Sequence, residues 1–257
     1  PLTLSTTRIN ASCNGLCDGS ATVTASGGSG SYDYLWSNMQ TTSSITGLCA
    51  GTYTVTVTDQ ASTSGCFQTA SVVITEPPAM TTTVANLDAT CGLANGEASV
   101  SVTNGTSPYD YSWSSGDVTL NTANQSDTIV GVTAGSYTVT ITDDNGCTVT
   151  TSVNVNDLGS PTATISGFTD ESCNGTCDGA ATVSIGGTLN SPFDYNWSNG
   201  STTTGTTSTT DAVNGLCAGT VTVTITDANG CEATANTTIS EPTVLTAVIS
   251  STVNANC

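Results

Sequence analysis

The sequence contains no lysine and no histidine, and Arg8 is its only basic residue against 20 acidic ones. The formal net charge is −19. Because proteins bind nucleic acids largely through Lys and Arg side chains on the phosphates, this composition excludes a nucleic-acid partner. The usual nucleophile–base pairs and Schiff-base chemistry also need His or Lys, so we predict that the chain is not an enzyme.

Long apolar runs are missing as well. No run approaches the roughly 20 residues that span a bilayer, and the chain does not open with a charged segment followed by an apolar one, as a signal peptide does. We therefore expect no membrane insertion. We expect the sequence to be an excerpt from a longer array, with any targeting signal or anchor elsewhere in the parent protein.

Aromatic residues are few, and nine of the thirteen lie in three copies of one block. Each block precedes a glycine-led strand and a Gly-Cys step, and the first cysteines of successive copies are 78 to 84 residues apart. This period is the size of a small self-contained domain. We predict repeats at 1–77, 78–159 and 160–242, and the first strand of a fourth repeat at 243–257.

Strict alternation characterises the strands. In Thr52–Thr58 the Tyr and Val side chains share one face and the Thr side chains the other, which indicates a half-buried antiparallel strand. No window shows an extended helical period. Short strands separated by Gly, Asn, Asp and Pro turns predict an all-β fold of tandem immunoglobulin-like β-sandwiches. The insertions at 116–129 and 200–212 are expected to be lengthened loops.

The aromatic blocks predict the core of each sandwich. Each Trp shares a strand face with a Tyr two residues before it, and a Tyr in the glycine-led strand matches the tyrosine corner of immunoglobulin-like folds. In the third copy Val221 replaces this corner Tyr. The predicted core residues are Trp36, Trp113, Trp197, Tyr34, Tyr111, Tyr195, Tyr53 and Tyr137.

Eleven cysteines in so polar a chain indicate disulfides and an oxidising compartment. Cys17 and Cys49 occur together in the first copy, as Cys177 and Cys217 do in the third. The second copy has neither, and we match Asn95 and Thr133 to those positions. Cysteines that are present or absent together behave as bonded pairs, so we predict Cys17–Cys49 and Cys177–Cys217.

The other seven cysteines are expected to form disulfides, but two pairings are open. Pairing inside each repeat would join Cys13–Cys66, Cys91–Cys147 and Cys173–Cys231. The first turn and the last hairpin, however, should lie at opposite ends of a sandwich, about 25 Å apart, which is beyond disulfide reach. Pairing across each junction, which would fasten neighbouring repeats together, would join Cys66–Cys91, Cys147–Cys173 and Cys231–Cys257.

Five recurring blocks resemble the SprB repeat: Cys-Asn-Gly-x-Cys-Asp-Gly at 13–19 and 173–179, Asp-Tyr-x-Trp-Ser-Asn, Gly-Leu-Cys-Ala-Gly-Thr, Thr-Asp-Ala-Asn-Gly-Cys and Glu-Pro. Such repeats build long surface adhesins of gliding bacteria. The resemblance implies export through the type IX secretion system, a place on the extracellular cell surface, and movement by the gliding machinery, which would contact other parts of the parent protein. It also implies contact with polysaccharide or a solid surface.

The acidic, Thr-rich chain has candidate residues for calcium binding and for glycosylation. Clustered Asp and Asn with turn carbonyls offer the oxygen ligands that Ca²⁺ prefers, and Asp143, Asp144 and Asp227 are the candidates; no other cofactor is expected. Asp127-Thr128-Ile129 resembles an O-glycosylation site of related bacteria, which makes Thr128 a candidate.

Short junctions around Pro77-Pro78, Pro161 and Pro242 contain no flexible Gly/Ser tract. We therefore expect each repeat to contact its neighbours in the same chain and the repeats to form an elongated rod. The favoured function is a stalk that spaces an adhesin from the cell and transmits force. The alternative is that the repeats themselves bind carbohydrate, which exposed rows of aromatic side chains would favour and buried ones would not.

Overall fold

The computed structural model describes residues 1–61 and 65–252, and within these ranges it contains strands and no helix. The fold is therefore all-β, as predicted. The chain divides into two compact units. The first comprises residues 1–86, 98–129 and 136–154, and the second comprises residues 87–97, 130–135 and those from 155 onward. The expected rod shape stays a prediction.

The first six strands form two three-stranded sheets, with orders β1-β2-β4 and β3-β5-β6. Apolar residues of both sheets, including Val23, Trp36, Val55 and Ile74, form one buried cluster, which makes this repeat a sandwich. The strands are β1 (Thr3–Ile9), β2 (Gly19–Ser26), β3 (Tyr32–Trp36), β4 (Ser44–Leu48), β5 (Gly51–Asp59) and β6 (Phe67–Ile74).

The next seven strands follow the same plan with one strand more. Their sheets have the orders β11-β8-β7 and β10-β9-β12-β13. The strands are β7 (Thr81–Leu87), β8 (Gly96–Thr103), β9 (Tyr109–Trp113), β10 (Val118–Thr122), β11 (Ser126–Val132), β12 (Gly135–Asp143) and β13 (Thr148–Val155).

The last seven strands repeat this arrangement in the second unit, with sheets β14-β15-β18 and β17-β16-β19-β20 around one apolar cluster. Alternation again decides which side chains are inside, since Val223 and Ile225 of β19 are fully buried. The strands are β14 (Pro161–Thr169), β15 (Gly179–Gly187), β16 (Phe193–Trp197), β17 (Thr202–Thr206), β18 (Thr210–Leu216), β19 (Gly219–Thr226) and β20 (Glu232–Ile239).

The insertions at 116–129 and 200–212 are not simple loops, and that prediction was wrong. They contain the edge strands β10 and β17, each of which pairs with its aromatic-block strand through a shifted register. Asn121 and Gly205 lie in the shifted segments with φ of 52° and 65°. Their backbone N–H groups donate to Asp110 and Asp194, both at 2.7 Å. The block carboxylates therefore hold the irregular part of each edge strand.

The predicted first strand at 243–257 is not formed over residues 243–252, and 253–257 lie outside the described residues. In the first and third repeats the opening strand pairs with the second strand of the same repeat, β1 with β2 and β14 with β15. Residues 243–252 pair with no strand of the described ranges. An opening strand without its partner has no ladder of hydrogen bonds to hold it extended.

The aromatic core is present, with differences between the repeats. Trp36, Trp113 and Trp197 are at most 3% exposed, and Tyr111 and Tyr195 are fully buried. Tyr34, Tyr53 and Tyr137 are only half-buried. Tyr34 lies on β3, which forms the edge of its sheet because the first repeat has no strand equivalent to β10. The hydroxyl of Tyr53 donates to the carbonyl of Cys49 at 3.1 Å, which is the tyrosine-corner contact.

Candidate functional site

The junction between the first two repeats lies within the first unit and is built on the first-turn loop, residues 13–17. Backbone N–H of Gly15 donates to Glu76 Oε2 at 2.7 Å, and Asn14 Nδ2 donates to Glu76 Oε1 at 3.0 Å and to the Pro77 carbonyl at 3.2 Å. The carboxylate of the Glu-Pro junction therefore holds the loop that carries Cys13 in place.

A disulfide crosses this junction. Cys13 is bonded to Cys147, with their Cα atoms 5.6 Å apart, an ordinary disulfide separation. Cys147 ends the closing hairpin of the second repeat, and its N–H donates to Asp143 Oδ1 at 2.9 Å. Its Sγ also lies 3.4 Å from the Ser12 carbonyl. The first turn of one repeat is therefore linked to the closing hairpin of the next.

The second unit contains an equivalent disulfide, between Cys91 and Cys231, with a Cα–Cα distance of 5.3 Å. Cys231 is 1% exposed, and its N–H donates to Asp227 Oδ1 at 2.9 Å. Its Sγ lies 3.4 Å from the carbonyl of Gly159, which also accepts the N–H of Cys91. In both units, therefore, the first-turn cysteine of one repeat is bonded to the closing-hairpin cysteine of the next repeat.

Neither pairing that the sequence left open is present. Cys13 is bonded to Cys147 rather than Cys66, and Cys91 to Cys231 rather than to Cys147 or Cys66. The bond Cys147–Cys173 is likewise excluded, as are Cys173–Cys231 and Cys231–Cys257; Cys257 lies outside the described residues.

The physical reason lies in the direction of the strands. The opening strand of a sandwich carries the chain away from the preceding repeat, so the first turn lies at the far end. The closing hairpin returns to the near end, where Asp144 N–H donates to the Thr106 carbonyl and Asn104 Nδ2 donates to the carbonyl of Ala79 in the junction. A closing hairpin therefore meets the first turn of the repeat before it.

The two disulfides predicted inside repeats, Cys17–Cys49 and Cys177–Cys217, are both present. The match of Asn95 to Cys17 was wrong. Asn95 Oδ1 accepts the N–H of Thr90 at 2.9 Å, as Asp18 accepts that of Ser12. Asn95 is therefore the counterpart of Asp18, and Ala94 stands where Cys17 does, because the second repeat has one residue fewer in this turn.

The calcium candidates organise turns. The carboxylate of Asp143 accepts N–H groups of Thr106, Asn145 and Cys147 at 2.9 to 3.0 Å. Asp227 accepts N–H groups of Asn229 and Cys231 and the side-chain amide of Asn190. Asp144 is exposed. These contacts explain why the hairpin needs Asp at its first position. A bound calcium ion stays a prediction.

One group of potential metal-ligating side chains is brought together in the described part of the chain, and it comprises Glu171, Cys177 and Cys217. Its two sulfurs form a disulfide and are not available as thiolates. The Glu171 carboxylate accepts backbone N–H groups of Ala218 at 2.7 Å and Gly175 at 3.0 Å. The group is therefore a structural support for the first-turn loop.

Asp127 has a role that the sequence did not reveal. Its carboxylate accepts the indole N–H of Trp113 at 2.7 Å and the hydroxyl of Thr119 at 3.0 Å. The neighbouring Thr128 is exposed on β11, and its glycosylation stays a prediction. The third repeat has the same arrangement around Asp211, in the sequence Asp211-Ala212-Val213. The recurrence of an Asp two residues before a buried apolar residue, Ile129 or Val213, was the available signal.

Hydrogen bonding and burial shift the pKa values of Asp178, Asp18 and Tyr111. The hydroxyl and N–H of Ser172 donate to Asp178, and together with Thr176 they lower the pKa of its carboxyl to about 2. Ser12 lowers the pKa of Asp18 in the same way. Burial, with the nearby Asp127 charge, raises the pKa of Tyr111 to about 12. All three shifts favour the protonation states found in the folded protein at neutral pH.

A cavity of about 390 Å³ adjoins the Cys13–Cys147 bond, lined by Asn14, Leu16, Pro78, Met80 and other small residues but by no aromatic side chain. Among the described residues, the aromatic side chains that are more than half exposed are Phe67 and Phe168, one in each unit. A row of exposed rings, on which sugars could stack, is therefore absent from the described residues of either unit.

The two-sheet sandwiches, repeated along the chain, define a tandem immunoglobulin-like protein. Residues 5–41 and 82–118 match the family model described as SprB repeat. The chain accordingly contains two segments that match the SprB repeat, and its fold is immunoglobulin-like. No curated protein matches it in sequence.

Solved structures that are similar also consist of tandem modules. They include an I-band fragment, I67–I69, of titin (11% identity, 93% of each chain, TM-score 0.35) and the mouse nectin-like molecule 4 ectodomain, Ig1–Ig3 (13% identity, 96% of each chain, TM-score 0.33). The fibronectin(III)-like modules of Clostridium thermocellum CbhA are also similar (11% identity, 62% of this chain and 95% of that one, TM-score 0.28).

The four disulfides among the described residues, together with the segments that match the SprB repeat, fit an extracellular protein. Over residues 1–61 and 65–252, no helix is long and apolar enough to cross a membrane.

Proposed function

We propose that this chain is a structural stalk segment of a long bacterial cell-surface adhesin, used in gliding motility and surface attachment and exported by the type IX system. It spaces the adhesive part of the parent protein from the cell and transmits force, and it has no catalytic role. The observation that carries this proposal is the overlap of two disulfide loops. Cys13–Cys147 and Cys91–Cys231 close loops that share residues 91–147.

Overlapping loops give the chain a continuous covalent path that bypasses most of its folded residues. A pull on the two ends passes from Cys13 through the sulfur atoms to Cys147 and from Cys91 through the sulfur atoms to Cys231. Between Cys13 and Cys231 the chain can therefore extend by no more than the length of the shared residues 91–147. An ordinary tandem array, in contrast, lengthens whenever one domain unfolds under load. Covalent links between repeats therefore suit a segment that must lengthen little when a motor pulls it.

Single-molecule force spectroscopy tests this role. The bonded cysteines are 134 residues apart in sequence in the first bond and 140 residues apart in the second. At about 3.4 Å per residue, the 134-residue loop alone hides about 450 Å of chain. The oxidised protein should extend by at least that much less than the reduced protein before it detaches. Equal extension with and without reductant would contradict the proposal.

The cellular part of the proposal needs its own measurement. A fluorescent antibody fragment against the repeats should label intact cells that export the parent protein and should move along their surface during gliding. Labelling only after the cells are permeabilised would contradict surface display. Static labelling on gliding cells would contradict the motility role while leaving the stalk role open to the force measurement.

A further inference from the structure

The loop that carries Cys173 is built like the one that carries Cys13. Asn174 Nδ2 donates to the Pro242 carbonyl at 3.1 Å, as Asn14 does to Pro77 at 3.2 Å. Gly175 N–H donates to Glu241 Oε2 at 3.1 Å, the counterpart of the contact between Gly15 and Glu76.

The residues that flank this loop also match. Ser172 donates through its N–H and its hydroxyl to Asp178, as Ser12 does to Asp18. The second repeat has the same support for its first-turn cysteine, supplied by Thr90 and Asn95. In each of the three repeats, hydrogen bonds therefore hold the first-turn cysteine at the end of the sandwich where the last strand of that repeat ends.

The three first-turn cysteines differ in what they bind. Cys13 and Cys91 are each bonded to the closing-hairpin cysteine of the following repeat. Cys173 is exposed and forms no disulfide with any residue in the described ranges 1–61 and 65–252. The third repeat thus has the same loop, held by equivalent contacts, and within the described ranges no closing hairpin is bonded to its cysteine.

We propose that Cys173, with its loop and the Glu241-Pro242 step, is a docking site for the closing hairpin of a further repeat of the same kind, and that it forms a disulfide with the Gly-Cys cysteine of that hairpin. The occupied sites show the required chemistry. In the first unit, a hairpin of sequence Asp143-Asp144-Asn145-Gly146-Cys147 brings its sulfur 3.4 Å from the carbonyl before the first-turn cysteine. Ser172 supplies that carbonyl here.

The covalent step balances as an ordinary thiol–disulfide exchange. The Cys173 thiol and the hairpin thiol lose two protons and two electrons and form one S–S bond. A disulfide oxidant, either an oxidised thiol–disulfide oxidoreductase or glutathione disulfide, takes up the electrons and becomes two thiols. This inference does not depend on the adhesin role, because it concerns how one repeat binds the next.

An extended chain tests the proposal. Residues 1–242 would be followed directly by a second copy of 78–242, so that Glu241-Pro242-Pro78 reproduces the native Glu76-Pro77-Pro78 junction. The protein is oxidised in a glutathione buffer, alkylated and digested under non-reducing conditions. A protease that cuts at acidic residues is needed, since Arg8 is the only tryptic site.

The expected result is a linked peptide pair that contains Cys173 of the first copy and Cys147 of the second, beside the native Cys13–Cys147 pair. The Cys173 of the second copy should stay a free thiol and be alkylated, which gives one alkylated Cys173 per chain. The 257-residue chain, as control, should yield no Cys173–Cys147 pair. Cys173→Ser in the first copy should abolish the new pair and leave the native pairs unchanged.

The same digest shows whether the added repeats fold. The extended chain contains Cys177 and Cys217 twice but Cys13 once, so the amount of the Cys177–Cys217 peptide pair should double relative to that of the Cys13–Cys147 pair. Two alkylated Cys173 residues per chain in such a folded protein would overturn the proposal. If the Cys177–Cys217 pair does not double, a second version with residues 162–242 after Pro242 places Cys231 opposite Cys173. An alkylated first-copy Cys173 in that folded version would equally overturn it.

Discussion

The indole N–H of Trp113 donates a 2.7 Å hydrogen bond to Asp127 Oδ2 and thereby joins β9 of one sheet to β11 of the other. Trp197 makes the same bond to Asp211 at 2.8 Å. In the first repeat, Trp36 donates instead to the carbonyl of Thr42, also at 2.8 Å. The buried indole is thus always satisfied, by a carboxylate in two repeats and by the backbone in one.

Asp127→Ala should destabilise the second repeat by about 1–3 kcal/mol, because the substitution leaves the buried indole N–H and the Thr119 hydroxyl without their acceptor. Hydrogen exchange of the amides in β9 and β11, read by mass spectrometry, measures the loss. The matched control is Asp117→Ala, which removes the same charge from an exposed position. Equal protection in the two variants would contradict the role of Asp127.

Trp113→Ala should cost the second repeat about 3–5 kcal/mol, because it removes a large side chain that is 3% exposed and leaves a cavity. Chemical unfolding followed by hydrogen exchange over β9 and β12 is the measurement. Leu120→Ala is the control, since this side chain is 67% exposed on the edge strand β10 and should change stability little. A comparable loss in both variants would mean that the Trp is not a core residue.

Ser172→Ala should raise the pKa of Asp178 from about 2 towards its ordinary value of 3.8, because the Ser172 hydroxyl is the main cause of the lowered value. A folded-state pKa below the unfolded one stabilises the fold at pH above the unfolded value. That contribution is lost as the pH falls through the folded value. Wild-type protein should therefore lose this contribution between about pH 4 and pH 2, and the variant should lack most of it.

Carboxyl NMR titration of Asp178 measures this change directly. The matched control is Ser12→Ala, which should raise the pKa of Asp18 and leave that of Asp178 unchanged. If the titration of Asp178 is the same in wild type and Ser172→Ala, the hydrogen bond is not the cause of its acidity.

Cys17→Ser combined with Cys49→Ser should destabilise the first repeat by about 2–4 kcal/mol, the usual effect of opening a loop of this size. Thermal unfolding of the double variant tests this. Hydrogen exchange should locate the change between β2 and β4, while the second repeat, which has Ala94 and Thr133 at these positions, serves as the internal reference. Loss of protection in the second repeat instead would contradict an effect confined to one repeat.

The sequence by itself determined the class of fold and the location of its core. Alternation over 52–58 places Val55 and Val57 on one face, and both are fully buried. The joint absence of two cysteines from one copy identified the pair Cys17–Cys49, because a bonded pair changes together. Such features are local, or they repeat along the chain, and they can be read without knowing where distant segments meet.

Only the tertiary structure decided which cysteines join neighbouring repeats. Spacing favoured bonds between residues close in sequence, yet Cys13 is bonded to Cys147 across 134 residues. The tertiary structure also decided the role of Asp127, because its partner Trp113 lies on the opposite sheet. The reason is that a sandwich reverses its chain at every turn, so the ends of its strands meet segments that no sequence period identifies.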